Sequence, residues 1–585
     1  MEHARWLFPG EPGEEAARLA VALGIGLPAA KVLWNRGFRD AEDAGRFLKP
    51  SLDALHDPYA LRGMREAVAR IRSAIAQREK ILIYGDYDVD GTTSVVVLKK
   101  AIEIAGGEVS FFIPHRLRDG YGMRPQAVEA AAAAGVRLIV SVDTGIRAAE
   151  VVRRAGELGI DVIVTDHHLP EAELPPALAV LNPNRSDCSY PEKNLCGVGV
   201  AFKLAHALAG TLGWAPGKVR RLMESFLKLV AIGTVADVVP LTGENRVIVK
   251  HGLGGLKQVR NPGLRALLDA AGFTGGSVPS ATQVAFRIAP RLNAAGRMDT
   301  ANAVIELFLT QDPDRARALA EELSRLNEER QHTEEAITRQ ILDECLRVPV
   351  EDRFGLVFCG EGWHRGVLGI VANRLVERFH RPTFVLGIDP EDGLAQGSGR
   401  SILDFHLLGA LEAMPELFVR FGGHKYAAGV TLPAGRVEAF RERFDTWAAS
   451  RLTSRDLAPQ VSIDAVLDLR EIDESSAKGV FALAPFGCGN PAPLFAALDV
   501  EVAGPPAVWK EKHLRVPVRQ NGRTVWLKAW NYAARAAELA PGTRIDAAFT
   551  LEEDTYSAAR GYQGWAAILK EFRRAGGETA AAATE

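Results

Sequence analysis

Sulfur and one-sided charge are both scarce in this chain. It has five cysteines in 585 residues, Cys188, Cys196, Cys345, Cys359 and Cys488, an odd and widely spaced set. That pattern argues against a disulfide framework and against a zinc ribbon, and it points to a reducing compartment, the cytoplasm. No apolar run approaches the roughly 20 residues of a membrane span. The first residues, MEHARWLFPGEPGEEAARLA, lack the basic and apolar regions of a signal peptide, so no membrane is expected as a partner. The formal net charge is only -3, which carries no overall basic signature of a nucleic-acid binder. Arginines are concentrated locally, however: Arg116, Arg118 and Arg124 in one loop, Arg287, Arg291 and Arg297 in FRIAPRLNAAGRM. Carboxylates gathered at a metal site would dilute the net figure, while any single arginine could equally pair with a surface acid.

What is present is ordinary in bulk and unusual in detail. Apolar residues make up 47% and charged ones 24%, the values of a soluble globular protein, and the length implies roughly three to five domains. Between Tyr84 and Ser94 the chain reads YGDYDVDGTTS, with Asp86, Asp88 and Asp90 at alternate positions directly after the apolar run Ile81, Leu82, Ile83. Leu138 to Val142 and Val162 to Val164 are similar runs, followed by Asp143 and by Asp166, His167 and His168. Each reads as a short buried parallel strand alternating with helices. In an open α/β sheet, ligands bind at the carboxyl edge of the strands, so all these groups can converge on one crevice.

Two plainer readings compete. D-x-D-x-D-G opens a calcium EF-hand loop, but the twelfth position of such a loop needs a bidentate Glu and here is Val97, and a β run rather than a helix precedes it. Alternatively, the acids and hydroxyls cap a helix beginning near Thr92. One acid suits that account; three closely spaced like charges repel unless a cation is present. Asp237, ending the apolar part of LKLVAIGTVADVVPL, reads by itself as a cap or turn former.

Along the chain, residues 1–75 read as a helical lead-in with KVLWNRGFRDAEDAGRFL as helix, turn, helix. An α/β lobe spans 76–300. Asp312-Pro313 starts a Gly- and Pro-free stretch within 301–347 that reads as one long connecting helix, a packed hairpin of two helices being the alternative. A second α/β lobe spans 348–452, with GSGRS as a Gly-rich phosphate cradle and His424 and Lys425 at a helix start where anions are welcome. Residues 455–574 alternate apolar and polar and carry an Asn521-Gly522 hairpin signal. That is a small β-barrel, and residues 575–585 read as a disordered tail. Trp509, Trp526, Trp530 and Tyr532 interleave with Lys510, Lys512, Arg515, Arg519, Arg523 and Lys528, the pattern of an OB-fold that tracks a single strand, although one set of those aromatics is expected to fill the barrel.

Asp88, Asp90, Asp143, His167 and Asp237 together offer oxygen-rich coordination with little nitrogen and no sulfur. That set favours Mg²⁺ or Mn²⁺ over zinc. Two such ions suit in-line displacement at phosphorus, one carboxylate bridging them. His168, beside a ligand histidine, is then free to hydrogen-bond the scissile phosphate or pass a proton.

YGDYDVDGTTS, SVDTGI, TDHH and ADVVPL resemble the four successive motifs of the DHH phosphoesterases. RLNAAGRMDTA, HRGVLGIVANRL, GSGRS and FGGHKYAAG resemble those of the RecJ exonucleases within that family. The resemblance covers nearly the whole chain and implies two α/β lobes, DHH and DHH-associated, joined by the long helix and followed by an OB-fold. It implies hydrolysis of single-stranded DNA from a 5′ end to 5′-mononucleotides in recombination and repair, beside a helicase and a single-strand-binding protein. It also implies two ions: one on Asp88, Asp143 and a neighbour such as Asp86, the other on Asp90, Asp143, His167 and Asp237. Tyr84 stands where the wider superfamily often has His. The family's 5′-phosphate pocket maps to Arg116, Ser398 and Arg400, with Arg291, Arg297 and His424 along the strand's path. Alternatives are a DHH phosphodiesterase acting on short oligoribonucleotides or cyclic dinucleotides, and a non-catalytic strand-binding scaffold. Both fit less well, because the former generally lack the lead-in and barrel and the latter have lost the metal ligands.

Overall fold

The computed structural model describes the chain except residues 1–4, 117, 119, 121, 299, 351, 577–579 and 582–585. The chain divides into two compact units, Ala54–Leu457 and the pair Met1–Asp53 with Ala458–Glu585.

The first lobe of the larger unit is built on five parallel strands, β1 (Lys80–Tyr84), β2 (Val109–Phe112), β3 (Val136–Val142), β4 (Asp161–Thr165) and β5 (Ala179–Leu181). Their order is β2-β1-β3-β4-β5. The central runs are continuously apolar because both faces are covered: Ile83, Leu138, Val140 and Ile163 are all fully buried. Connections leave β1 and β3 in opposite directions, which opens a crevice at their carboxyl ends. After β1 the chain enters α1 (Val89–Ile104). This helix starts three residues before Thr92 because Asp88 is the cap, accepting the Gly91 N–H at 2.9 Å. Helices α2 (Gly197–Gly210) and α3 (Pro216–Ala236) pack on α1, and Asp237 is the C-cap of α3.

Helix α4 (Ala289–Met298) continues from a π-helical turn and leads toward the connector. The connector is one helix, α5 (Pro313–Arg347), 35 residues long, so the two-helix hairpin is excluded. Asp312 caps it by accepting the Asp314 N–H, and Pro313 sits where no N–H is needed. At 1.5 Å per residue it spans about 50 Å. One part packs on helices of the first lobe, while Ile337 and Ile341 enter the core of the second.

The second lobe contains β6 (Leu356–Glu361), α6 (Leu368–Phe379), β7 (Thr383–Ile388), β8 (Leu394–Arg400), β9 (Arg420–Gly423) and β10 (Ala427–Pro433). The sheet order is β9-β10-β8-β7-β6, with β6 and β7 the parallel pair. Two sequence expectations are corrected here. GSGRS is not a phosphate-cradling turn: Gly397, Ser398 and Gly399 lie in β8, laddered with both β7 and β10. A Cβ on Gly397 would meet the Val385 carbonyl at 2.0 Å, so those glycines serve strand packing. His424 and Lys425 are not at a helix start either; they form the turn of the β9–β10 hairpin, because Gly422-Gly423 and the following AAGVTL pair as strands.

In the smaller unit, β11 (Phe495–Val502), β12 (His513–Gln520), β13 (Arg523–Ala529), β14 (Arg544–Glu553) and β15 (Trp565–Arg574) form a barrel. The ring β11-β14-β15-β13-β12 closes through the pairs Glu501↔Arg519 and Val502↔Val518. Asn521 and Gly522 both have positive φ, 50° and 81°, as a type I′ hairpin requires. Aliphatic residues with Phe495, Phe549 and Phe572 fill the interior. Trp526 and Trp530 stay out of it, 44% and 47% exposed, while Tyr532 packs against this core with its ring 6.1 Å from that of Phe572, so the expectation that one set of the aromatics fills the barrel holds for Tyr532 and fails for those two tryptophans.

Residues 1–75 are not one lead-in. The helices Leu27–Asn35 and Ala41–Leu48 bury Val32, Leu33 and Leu48 in the barrel's core, with Lys31 paired to Glu471 and Arg36 to Asp464, each at 2.8 Å. Residues from Ala54 onward belong to the larger unit. In the tail, Ala580–Ala581 pairs with the strand Arg5–Phe8, while 577–579 and 582–585 lie outside the described residues. Among the described residues, no single helix is long and apolar enough to cross a membrane.

Candidate metal centre and anion pocket

The crevice at the carboxyl edge of β1, β3 and β4 gathers the acids named from sequence. Asp90, in the first turn of α1, is buried, and its carboxylate accepts the N–H groups of Gly197 (2.5 Å) and Val198 (2.8 Å) at the start of α2. A helix N-terminus favours the anion. Burial and the nearby Asp88 nevertheless push Asp90 up to about 7. Asp143 leaves β3 with φ 59°, a left-handed conformation that Asp tolerates better than most residues. Gly197 packs directly against it: a Cβ there would lie 2.6 Å from both Cβ and Oδ1 of Asp143.

His167 closes the group. Its Nε2 lies 3.2 Å from Oδ1 of Asp143, 3.7 Å from Oδ2 of Asp237 and 3.9 Å from Oδ2 of Asp90. Burial and the adjacent His168 push His167 down to about 4, so the imidazole is neutral and able to ligate. Asp237 rises to about 9 through burial and the charges of Asp90 and Asp88. Asp86 and Asp143 are also held well above the carboxylate range, by burial first and then by neighbouring aspartates.

These side chains fit a divalent cation. Asp86, Asp88 and Asp143 bring carboxylate oxygens within 4.8 Å of one another, and Asp90, His167 and Asp237 bring theirs within the same limit. Oδ1 of Asp86, Oδ1 of Asp143 and Oδ2 of Asp237 are buried without a hydrogen-bond donor. Oxygens so placed call for a positive partner, and the donor set is that of Mg²⁺ or Mn²⁺. Tyr84 is buried, its hydroxyl donating to the Gly122 carbonyl at 3.2 Å and its ring against Phe112. Asp86 is the group that joins Asp88 and Asp143.

His168 sits beside the acids with its Nδ1 2.7 Å from Asp166. Asp166 is buried and also accepts the N–H groups of Ile146, His167 and His168. Burial opposes the charge on both partners, yet their mutual attraction outweighs it: Asp166 stays below, and His168 above, its ordinary value. The sequence puts Asp166 in the crevice but signals no role for it. Asn182 and Asn184 were missed altogether; their side-chain amides donate to the carbonyls of His168 (2.8 Å) and His167 (2.7 Å), and nothing in a polar loop marks such contacts.

A cationic cluster adjoins the acids. Arg297 is largely buried, donates to the Gly366 carbonyl at 3.0 Å, and is pushed down to about 10 by burial and by Arg116, Arg330 and Arg400. The Arg116 guanidinium lies over the Tyr87 ring, 4.9 Å from its centroid. Ser398 and Arg400 face the first turn of α6: a Cβ on Gly369 would come within 3.5 Å of Ser398 Cβ and 2.9 Å of an Arg400 Nη. An arginine beside the first turn of a helix is a place where anions are favoured, and Arg400 stands so at α6. Arg291 does not join them, because its guanidinium donates to the Arg287 carbonyl and to Ser324 on α5. His424 lines a cavity with His168.

Comparison with known proteins agrees with this geometry. Residues 80–234 match the DHH family, N-terminal domain; residues 352–450 the DHHA1 domain; residues 463–564 the RecJ OB domain. The chain is 39% identical over 542 residues to the single-stranded-DNA-specific exonuclease RecJ of Bacillus subtilis, covering 92% of this chain and 67% of that one. It is 40% identical to the corresponding protein of Dickeya dadantii, covering 83% of this chain and 86% of that one. The crystal structure of RecJ in complex with Mn²⁺ from Thermus thermophilus superposes with a TM-score of 0.83 at 33% identity, over 99% of this chain and 81% of that one.

Proposed function

The chain belongs to the RecJ family, and from that premise we propose that it is a divalent-metal-dependent exonuclease that degrades single-stranded DNA from its 5′ end to 5′-mononucleotides. The observation that carries this reading is the set of three buried carboxylate oxygens without donors, on Asp86, Asp143 and Asp237, beside a histidine oriented by Asp166. Two ions of Mn²⁺ or Mg²⁺ suit the site: Asp86, Asp88 and Asp143 would hold one, and Asp90, Asp143, His167 and Asp237 the other, with Asp143 shared. Such ions supply an activated water and charge neutralisation at the scissile phosphate.

The protein's own groups do the rest. Asp166 fixes the imidazole of His168, leaving Nε2 to donate to a phosphate oxygen or hand a proton to the leaving oxygen. Arg116, Arg297, Ser398 and Arg400 take the terminal 5′-phosphate, which sets the polarity and the length of the nucleotide released. The barrel's exposed Trp526, with Arg515 4.4 Å from its ring centroid, offers a stacking surface for the strand. The domains extend over 76–300, 301–347, 348–452 and 455–574. Work in the cytoplasm beside a helicase and a single-strand-binding protein completes the proposal.

Digestion of 5′-labelled and 3′-labelled single strands, duplex and RNA, with Mn²⁺ or with a chelator, tests it. A labelled mononucleotide should leave a 5′-labelled single strand first, and only with metal. First release from the 3′ end, or undiminished digestion in chelator, would overturn the reading.

A further inference from the structure

Beside Arg297 lies a buried carboxylate that the reaction itself does not use. Glu334 stands in the connector helix α5, and its side chain is 0% exposed. Arg330, Glu334, Ile337 and Ile341 recur at helical spacing, which puts them on one face of α5. That face meets α6, where Ile337 and Ile341 pack with Leu368, Val371 and Leu375. On the same face Glu334 accepts from Nη1 of Arg330 at 3.0 Å and pairs with Nε of Arg374 on α6. Arg330 is committed to this carboxylate and, at 3.1 Å, to Oδ1 of Asn327, while its Nε is buried without an acceptor. One carboxylate thus serves two guanidinium groups, and the triad keeps a net positive charge.

Arg297 adjoins this triad. A Cβ on Gly366, just before α6, would lie 2.5 Å from the Arg297 carbonyl, and the Arg297 guanidinium donates back to the Gly366 carbonyl at 3.0 Å. Burial raises the proton affinity of Glu334, while Arg374, Arg330 and Arg297 lower it. Arg297 is pushed down by burial and then by Arg116, Arg330 and Arg400, with Asp88 acting the other way. In the exonuclease reading Asp88 is committed to metal. Glu334 is then the negative charge against which these cations are balanced.

The balance matters because the 5′-phosphate is common to substrate and product. Hydrolysis releases the terminal nucleotide with the phosphate it had when it bound, so whatever grips the strand also grips the mononucleotide. A pocket of unopposed arginines would hold both tightly, which lowers KM without raising kcat and slows departure. We propose that Glu334 is the counter-charge that sets the grip of the arginine pocket on the 5′-phosphate, strong enough to place a strand and weak enough to free the mononucleotide. It acts through Arg330 and Arg374, holding both to itself and leaving Arg116, Arg297 and Arg400 to meet the phosphate. The assignment deepens the exonuclease reading and rests on it.

Isothermal titration of thymidine 5′-monophosphate into the Mn²⁺-loaded enzyme, with thymidine as control, reads that grip directly. Glu334→Gln removes the charge and keeps the shape. Affinity for the monophosphate should rise about tenfold with thymidine unchanged, and kcat and KM on a 5′-phosphorylated strand should fall together. Arg374→Gln removes a cation instead and should weaken the monophosphate about three- to tenfold, whereas Arg374→Lys, which keeps the charge, should bind it like the parent. The two shifts should cancel in the double variant Glu334→Gln, Arg374→Gln. The Arg374 side chain is 44% exposed, so its variants decide the matter even if Glu334→Gln does not fold. Unchanged or weaker monophosphate binding by folded Glu334→Gln overturns the role. So does a loss in Arg374→Gln that Arg374→Lys shares, or a parent that binds the monophosphate no better than thymidine. A parent that binds the monophosphate but digests no strand with Mn²⁺ would instead sink the exonuclease reading.

Discussion

Asp166 lies 2.7 Å from Nδ1 of His168 while accepting three backbone N–H bonds from Ile146, His167 and His168. One carboxylate therefore fixes both the loop and the imidazole it carries. The pair divides the two histidines by role: His167 is neutral among the acids, and His168 is held toward its protonated form.

With its amide oxygen in the place of Oδ1, Asp166→Asn can still accept from the His167 and His168 N–H groups and from Nδ1–H, but its NH₂ faces the Ile146 N–H and the charge that holds His168 toward its protonated form is gone, so the neutral imidazole keeps its proton on Nδ1 and leaves Nε2 without one. We expect kcat to fall about 10²- to 10⁴-fold with KM little changed. Adding Asp166→Asn to His168→Ala should cost little more than His168→Ala alone. Additive losses in the double variant would show that Asp166 acts separately from His168.

Asp143 supports a second prediction through its backbone. Its φ of 59° is a conformation that Asn adopts as readily as Asp, so Asp143→Asn should fold while losing the charge shared by both acid groups. Activity should drop by about 10³-fold or more at saturating Mn²⁺. Isothermal titration should show weakened Mn²⁺ binding in the same variant. Unchanged metal binding would remove Asp143 from the ligand set.

Metal and pH should be linked with a definite sign. Without metal, Asp90 titrates at about 7 and Asp237 at about 9, both above the ordinary carboxylate value. At these two carboxylates the folded chain thus binds more protons than the unfolded chain between about pH 4 and pH 9, and the stability they contribute falls as pH rises through that window, whereas His167, pushed down to about 4, works in the opposite sense below its ordinary value. A divalent cation displaces those protons, so its stabilising effect grows with pH. Thermal melts in chelator and in Mg²⁺ at pH 6 and pH 8.5 check this: the Mg²⁺-dependent rise in Tm should be larger at pH 8.5. A rise that is equal at both, or larger at pH 6, would show that the raised carboxylates are not the ligands.

The metal centre was legible in the sequence because each acid follows a strand whose apolar run is continuous, and parallel sheets bring such ends together. Asp86, Asp88, Asp90, Asp143 and the two histidines all declare themselves that way. The connector helix was equally plain, since 35 residues pass between Pro313 and Arg347 with no breaker. What was hidden depends on partners distant in sequence. GSGRS reads as a loop because its glycines suit turns, yet Gly397 is needed for the approach of the Val385 carbonyl across the sheet. Arg291 looks like Arg297 in a shared motif, but on one helix the first turns to Ser324 and the second to Gly366. The N-terminal helices carry amphipathic faces without saying what covers them, and their partner, the barrel, lies more than 400 residues further along the chain.

Gly197 provides the last prediction, because it serves two aspartates at once. Its N–H donates to Asp90 at 2.5 Å, and the space where a side chain would stand is taken by Asp143, 2.6 Å away. Gly197→Ala therefore forces either Asp143 or the start of α2 to move, an overpacking that typically costs about 1–3 kcal/mol. Both aspartates would shift relative to His167, so the loss should appear in function beyond what stability explains. Urea denaturation should report a modest destabilisation, while Mn²⁺-dependent nucleotide release falls about 10²-fold under conditions where the variant is fully folded. Normal release from a folded Gly197→Ala variant would mean that the crevice tolerates displacement of Asp143, and would rule out its role as the group on which both halves of the acid cluster depend.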